Sequence, residues 1–202
     1  RDAGRFDGQI VPVEVKRKRE TVAFARDEHP KETSAEALAA LRPAFRKEGT
    51  VTAGNASGIN DGAAALVLAR ADAAERAGLK ARARVLGYAH AGVRPEVMGV
   101  GPIPAVEALC DRIGLGVEAF DVVESNEAFA AQAIAVNRGL GLDPERVNPN
   151  GGAIALGHPV GATGAILAVK ALHELERMGG RRALVTMCIG GGQGIALALE
   201  RV

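Results

Sequence analysis

The apolar and polar positions of this chain fall into two alternating kinds of segment. Short, nearly continuous apolar runs are typical of strands buried on both faces of a sheet, and longer stretches with an apolar residue every three or four positions are typical of helices. The short runs predict strands over 10–15, 62–70, 82–88, 120–124, 183–187 and 195–199. The longer stretches predict helices from Thr33 or Ser34 to just before Pro43, and over 71–78, 103–113, 127–138 and 162–178.

Strands that alternate with helices indicate an α/β sheet with helical layers. Pro12 has no N–H to donate to a ladder, so 10–15 is predicted to be an edge strand. The last two strands follow one another without a helix between them, which predicts an antiparallel pair at the edge of the sheet. Segments 50–61 and 151–164 are rich in small residues and glycine, and are predicted to be loops.

Composition restricts the classes of partner. Aromatic residues make up only 3% of the chain and Trp is absent, which predicts a core of small aliphatic side chains. The net charge is +1 with acids and bases dispersed, so no field that attracts nucleic acid or an anionic membrane is expected. The only basic cluster, 16–19, is interpreted as the solvated end of a strand rather than a targeting signal or a phosphate-binding patch.

Two cysteines without a signal peptide or a long apolar run indicate a reducing compartment, so a cytoplasmic protein is expected. The first residue is Arg1 rather than Met, which suggests a piece of something longer.

One motif combines a thiol with bare backbone. Cys188 is followed by Ile189 and by three glycines at 190–192. Glycines let main-chain N–H groups approach a ligand, and a thiolate is a strong base once a neighbour or dipole lowers its pKa. A small buried cysteine that closes a Gly-rich hairpin explains the pattern equally well.

Two other motifs combine polar side chains with sharp turns. His158 lies in the Gly-rich segment just before a predicted helix, where few neighbours in sequence can occupy its ring nitrogens, although a structural histidine fits as well. Asn126 and Glu127 lie where a strand meets a helix, the usual place for active-site groups in open α/β sheets. Both residues also suit helix caps, and 55–58 suits an ordinary turn.

Together these motifs closely resemble the thiolase family, in particular its acetyl-CoA acetyltransferase branch. The resemblance rests on segments in the family's order, namely 41–45, 52–58, 97–99, 126–129, 157–159 and the motif at Cys188. Only the C-terminal half of such an enzyme is matched. The family's nucleophilic cysteine belongs to the N-terminal half, and Cys110, on the apolar face of a predicted helix, is expected to be a core thiol.

The resemblance implies roles for four residues. Cys188 is expected to be the acid/base that moves the α-proton of acetyl-CoA. His158 is expected to activate the nucleophile of the other half and then to donate a hydrogen bond to a thioester oxygen. Asn126 is expected to hold a water at that oxyanion site, and the Gly190 N–H to serve a second one. No metal and no cofactor are implied, because coenzyme A is a substrate.

The resemblance also implies a tunnel for the pantetheine arm of coenzyme A. Its lining is expected to include one polar residue, Ser57, and apolar ones, namely Phe45, Met98, Phe129 and Ala53. The reaction implied is reversible Claisen condensation and thiolysis of 3-oxoacyl-CoA, as in fatty acid metabolism. The alternative is a noncatalytic acyl-CoA or lipid-binding module with the same fold. A condensing enzyme of the ketoacyl synthase group is disfavoured, because the Cys188 and 126–129 motifs look like thiolase marks.

The family fold consists of two similar α/β halves packed as five layers, αβαβα, with an inserted loop domain. By that pattern, 1–58 is the tail of the loop domain, 59–81 is the last strand and helix of the N-terminal domain, and 82–202 is the C-terminal domain. The strand 62–70 is apolar throughout and cannot remain unpaired in water. The chain is therefore expected beside an N-terminal thiolase half, of the same or a separate chain, in a dimer or tetramer.

Overall fold

Six strands and six helices make up the computed structural model, which describes residues 1–202. The strands are β1 (Val13–Arg17), β2 (Glu20–Phe24), β3 (Ala83–Gly92), β4 (Val122–Ser125), β5 (Arg182–Ile189) and β6 (Gln193–Arg201). The helices are α1 (Ala35–Ala39), α2 (Ala71–Arg76), α3 (Pro102–Ile113), α4 (Ala130–Leu140), α5 (Ala153–Leu156) and α6 (Thr163–Met178). Short 3₁₀ segments occur at Pro95–Val100, Val117–Ala119 and Pro144–Arg146. None of the helices combines the length and hydrophobicity that crossing a bilayer requires.

Four strands form the main sheet in the order β3-β6-β5-β4. The neighbours β4 and β5 are parallel, whereas β6 is antiparallel to both β5 and β3. The antiparallel pairing of the last two strands is therefore confirmed, but their predicted place at the edge is wrong. Ala196 and Ala198 of β6 are fully buried beneath α3, and β3 and β4 cover the two outer ladders of the pair.

Helices cover both faces of this sheet, as the α/β prediction requires. One face packs against α3 and α4 around Leu109, Val136 and Leu184, all fully buried. The other face packs against α6, where Leu167 and Leu175 contact the β4–β5 pair. Ala196 and Ala198 of β6 give this core small aliphatic side chains, as the low aromatic content predicted.

Helix ends follow local sequence signals. The Ser34 hydroxyl accepts a hydrogen bond from the Ala37 N–H at 3.2 Å, so Ser34 is the N-cap of α1. Gly114 ends α3 with φ at +66°, where an L side chain is strained.

The first strands form a hairpin of their own. The prediction of one strand over 10–15 is shifted, because β1 begins after Pro12, and β2 was missed. All five residues of β2 are exposed, so its sequence does not carry the apolar face of a core strand. The Arg17 guanidinium lies 5.9 Å from the centre of the Phe24 ring, and such a pair stabilises an exposed hairpin.

Segment 62–70 differs most from the prediction. It forms no strand, and it is exposed almost throughout, with Val67 at 92% and Leu68 at 80%. The prediction of a buried strand is thus wrong for the chain by itself, because the main sheet ends at β3 and β4 and has no place for it. The segment leaves a row of apolar side chains and free backbone groups open to pairing.

The turn after Cys188 packs directly on the start of α3. A methyl group added at Gly194 would lie 2.0 Å from the Gly101 carbonyl oxygen, and one added at Gly101 would lie 2.5 Å from the Gln193 carbonyl oxygen. The two main chains therefore touch without any side chain between them. Glycine is required at both positions for this close approach.

We expect Gly194→Ala to destabilise the protein by about 1–3 kcal/mol, because the added methyl meets a backbone oxygen that cannot rotate away. The measurement is the urea unfolding midpoint. Gly161→Ala is the matched control, since nothing lies within 4 Å of a methyl group there. Equal midpoints for the two variants would contradict the contact.

Candidate active site

Two of the predicted site residues lie at the same end of the sheet. Asn126 follows β4 directly, and its N–H donates to the Thr186 carbonyl of β5 at 3.0 Å. Cys188 lies two residues further along β5. Because β4 and β5 are parallel, their carboxyl ends meet at one edge, where open α/β sheets bind ligands.

His158 reaches the same place from a loop. Its ring Nε2 lies 3.3 Å from Asn126 Nδ2. Its main-chain N–H donates to the Gly58 carbonyl at 3.1 Å, and the Asn60 side-chain oxygen lies 3.3 Å from the same nitrogen. Burial lowers the pKa of His158, so the neutral ring is favoured at neutral pH. The structure therefore brings His158 into contact with Asn126, the residue that the resemblance assigned to the same oxyanion site.

Cys188 is 5% exposed, and its surroundings favour the thiol. Burial raises the pKa of Cys188, and a backbone hydrogen bond only partly opposes this. A neighbour that lowers the pKa, as the motif alone suggested, is not present among the residues of this chain. Burial therefore favours the protonated thiol of Cys188.

The glycines after Cys188 form an open turn. Gly191 and Gly192 have φ of +84° and +94°, which only glycine adopts without strain. The Gly190 N–H takes part in no main-chain hydrogen bond, and the residue is exposed. The turn thus leaves a donor available at the sheet edge, where Gly190 was predicted to act.

An asparagine that sequence reasoning missed fixes the end of β4. The Asn148 side chain accepts from the Ser125 N–H at 2.9 Å and donates to the Ser125 carbonyl at 2.8 Å. Its own N–H donates to the Val123 carbonyl at 2.8 Å. Asn148 adopts φ +47°, a left-handed conformation that asparagine tolerates better than most residues. The Asn148 side chain thus pairs with the Ser125 backbone, next to the bridge between Val123 and Val147.

Glu127 is not a cap of the helix that follows it. No side chain caps α4, whose N-cap is Phe129. One Glu127 carboxylate oxygen accepts from Asn148 Nδ2 at 3.2 Å, and the other accepts from the Ile154 N–H at 3.2 Å. Glu127 therefore ties the Asn126 loop to the loop that carries His158.

A buried ion pair supports the same loop from below. Lys170 of α6 donates to the Glu124 carboxylate at 2.6 Å and to the Gly151 carbonyl at 2.8 Å. Glu124 is fully buried and Lys170 is 7% exposed. Burial raises the pKa of Glu124 and the Lys170 charge opposes that rise. Charged residues spaced far apart in sequence gave no signal of this contact.

Several of the predicted tunnel residues come together beside Asn126. Phe45 and Phe129 meet edge to face, with ring centres 6.2 Å apart. Ala56 forms a bridge with Phe129, and the Ser57 N–H donates to the Ala128 carbonyl at 3.0 Å. Phe45 remains 74% exposed, so one side of this cluster is open.

The other two predicted tunnel residues lie in two further segments. Met98 is half-buried in Pro95–Val100, which packs against α4, β5 and β6. Ala53 is exposed in a tight turn that the Asn55 side chain closes by accepting from the Thr52 N–H at 2.8 Å.

One polar atom of the site is left without a partner. The Asn126 side-chain oxygen is buried and makes no hydrogen bond, although Asn126 Nδ2 contacts His158. A buried acceptor of this kind needs a donor from a ligand or a water. No group of three or more His, Cys, Asp or Glu side chains is placed to hold a metal ion.

Comparison with known proteins gives a consistent answer over the whole chain. The model of "Thiolase, N-terminal domain" matches residues 1–72, and that of "Thiolase, C-terminal domain" matches residues 79–201. A beta-ketoadipyl-CoA thiolase of Pseudomonas aeruginosa is 59% identical over 100% of this chain and 51% of its own length. The chain thus spans about half the length of the curated relatives it matches.

Two solved structures share the fold. An acetyl-CoA acetyltransferase of Bacillus anthracis superimposes with a TM-score of 0.97 at 50% identity, covering 100% of this chain and 51% of that one. Human mitochondrial 3-ketoacyl-CoA thiolase in complex with CoA gives a TM-score of 0.89 at 43% identity, covering 100% of this chain and 50% of that one. The predicted fold is confirmed.

We expect Asn148→Gly to destabilise the protein by about 2–3 kcal/mol, because the Ser125 N–H and carbonyl both lose a buried partner. Asn148→Ala loses the same bonds and adds about 1–2 kcal/mol of left-handed strain. The free energy of unfolding of the two variants separates these effects. An alanine variant as stable as the original protein would show that Asn148 does not hold the end of β4.

Proposed function

Because this chain belongs to the thiolase family, we propose that it is the C-terminal half of an acyl-transferring thiolase. The reaction is reversible Claisen condensation and thiolysis of 3-oxoacyl-CoA. The observation that carries the proposal is the contact between Asn126 and His158 at the sheet edge where Cys188 lies, one residue before the end of β5. The residues resembling the family's proton-transfer and oxyanion groups thus share one edge.

In the thiolytic direction, His158 Nε2 takes the proton of a nucleophilic cysteine supplied by the N-terminal half. The resulting thiolate attacks the 3-oxo carbon, and the bond between C2 and C3 breaks. Its electrons form the enolate of acetyl-CoA, and the Cys188 thiol gives its proton to the α-carbon. Burial suits this step, because it keeps Cys188 protonated. The Cys188 thiolate then takes the thiol proton of a free coenzyme A, which attacks the acyl group. The nucleophilic cysteine leaves and regains its proton from His158.

Negative charge develops on the thioester oxygen of the enolate and on the oxygen of the attacked ketone. Each of these two oxygens needs fixed hydrogen-bond donors. Asn126 and His158 form one donor site, in which the free Asn126 oxygen holds a water. The unused Gly190 N–H contributes to the second. Coenzyme A is the ligand in the human 3-ketoacyl-CoA thiolase complex. In this chain its pantetheine arm binds along Ser57, Phe45, Phe129, Met98 and Ala53.

The N-terminal half completes the enzyme and covers the exposed segment 62–70. We place the assembly in the cytoplasm as a dimer or tetramer that acts in fatty acid metabolism, with no cofactor besides the substrate coenzyme A. The two free cysteines fit a reducing compartment. A noncatalytic acyl-CoA-binding module is the second candidate, but a module that only binds has no need of the intact Cys188, His158 and Asn126 set.

We expect Cys188→Ala, in the enzyme assembled with its N-terminal half, to lower kcat for acetoacetyl-CoA cleavage by about 10²–10⁴-fold, the usual contribution of a general acid or base. The assay follows loss of acetoacetyl-CoA with free coenzyme A. Cys110→Ala is the matched control and should keep its activity, because that half-buried thiol packs beside α3 core residues. Binding of acetoacetyl-CoA without any turnover in the original enzyme would favour the noncatalytic module instead.

We expect kcat/KM to fall on the acid side with an apparent pKa below the ordinary histidine value. Burial lowers the pKa of His158, so the neutral base survives to lower pH than free histidine does. His173→Gln should leave this limb in place, because His173 lies on the far part of α6 near Arg82 and Glu176. An acid limb above the ordinary histidine value would contradict the assignment.

A further inference from the structure

The hydroxyl of Thr163 touches the ring of His158 on the side away from Asn126. Thr163 is the first residue of α6 and is 3% exposed. Its Oγ1 lies 2.7 Å from His158 Nδ1 and 2.9 Å from the Pro159 carbonyl oxygen. No other side chain hydrogen-bonds to His158 Nδ1, so Thr163 determines what that nitrogen can do.

Counting protons gives a single consistent arrangement. The Pro159 carbonyl can only accept, so two oxygens 2.9 Å apart require the Thr163 hydroxyl proton between them. The hydroxyl then has lone pairs and no proton left for the ring, and His158 Nδ1 must be the donor. Neutral imidazole carries one proton, so His158 Nε2 presents a lone pair.

The opposite side of the ring agrees with this count. Nε2 faces Asn126 Nδ2 at 3.3 Å, and an amide nitrogen can only donate. A lone pair on Nε2 accepts that proton, whereas an N–H there would oppose another N–H. The same arrangement leaves the Asn126 oxygen free, as the buried unpartnered atom shows.

We propose that Thr163 is a positioning residue that holds His158 in the Nδ1–H form, so that the nitrogen facing Asn126 and the site is the basic one. The hydrogen bonds that support this inference do not depend on which reaction the site catalyses. The effect of Thr163 on turnover, in contrast, rests on the proposed function. The partner of Nδ1 is a neutral hydroxyl rather than a carboxylate. The ring is therefore oriented without being given a countercharge.

Two properties follow for the ring. Nε2 is ready to take a proton from a thiol, which the Nε2–H form cannot do. Once Nε2 is protonated, its N–H becomes a donor on the side of the ring that faces Asn126. Because no carboxylate stabilises the charged ring, it readily returns its proton.

The Thr163 hydroxyl can be removed without leaving the Pro159 carbonyl unpaired. The Pro159 carbonyl also accepts from the Ala162 N–H at 2.8 Å and the Thr163 N–H at 2.9 Å, so it stays satisfied without the hydroxyl. Thr163→Val keeps the shape and removes the hydroxyl. Thr163→Ser keeps the hydroxyl and removes only a methyl group.

The experiment records ¹⁵N chemical shifts of histidine rings in the enzyme assembled with its N-terminal half, with His158 assigned from the signal lost in His158→Asn. The original enzyme and Thr163→Ser are expected to show the Nδ1–H form. Thr163→Val is expected to shift towards the Nε2–H form and to lower kcat about 10–100-fold, with KM changed less than about twofold.

An Nε2–H form in the original enzyme would overturn the proposal without any variant. So would a Thr163→Val variant that matches the original enzyme in both tautomer and kcat. If the valine variant changes the tautomer but the original enzyme cleaves no 3-oxoacyl-CoA, the role of Thr163 stands and the proposed function fails. The two ideas can therefore be rejected separately.

Discussion

The pairing of the Asn148 amide with the Ser125 backbone is the interaction on which the site depends. β4 is an edge strand of the sheet and is only four residues long. The N–H and carbonyl of its last residue, Ser125, therefore face away from β5 and have no neighbouring strand. Burying this N–H and carbonyl without hydrogen-bond partners would cost free energy and would favour fraying of the end of β4. Asn148 supplies both bonds from one side chain and thereby fixes Asn126, which follows at once. It also contacts Glu127, which holds the start of the loop that ends at His158.

A costly contact lies beneath that loop. Glu124 and Lys170 are both buried, and a buried pair gains little over apolar side chains because each charge loses its water. One Glu124 oxygen has no partner at all. The pair is better explained by where it holds the backbone: the Lys170 ammonium also binds the Gly151 carbonyl, seven residues before His158. Removing one member would leave a buried charge alone, so the two residues can only be replaced together.

The sequence predicted what local patterns encode. Apolar periodicity located α3, α6 and the strands of the main sheet, and the glycine after Ile113 marked a helix end because a left-handed residue is needed there. The motifs located His158, Asn126 and Cys188, and the structure puts the first two in contact.

Exposed strand β2 was missed because no buried face imposes a pattern on it. Segment 62–70 was predicted from its apolar residues, yet this chain supplies no strand to pair with it. Asn148, Lys170 and Thr163 were missed, since their partners depend on loops that no periodicity describes.

The contact between Gly101 and Gly194 has a mechanical consequence. Two main chains that touch without side chains cannot slide past one another without a steric clash, so the hairpin of β5 and β6 and the segment before α3 move together. Met98, three residues before Gly101, is therefore linked to the hairpin that carries Cys188. Phe45, on an exposed loop that meets the site through Phe129, has no such restraint. The Phe45 loop can therefore shift without moving the hairpin that carries Cys188, whereas the start of α3 cannot.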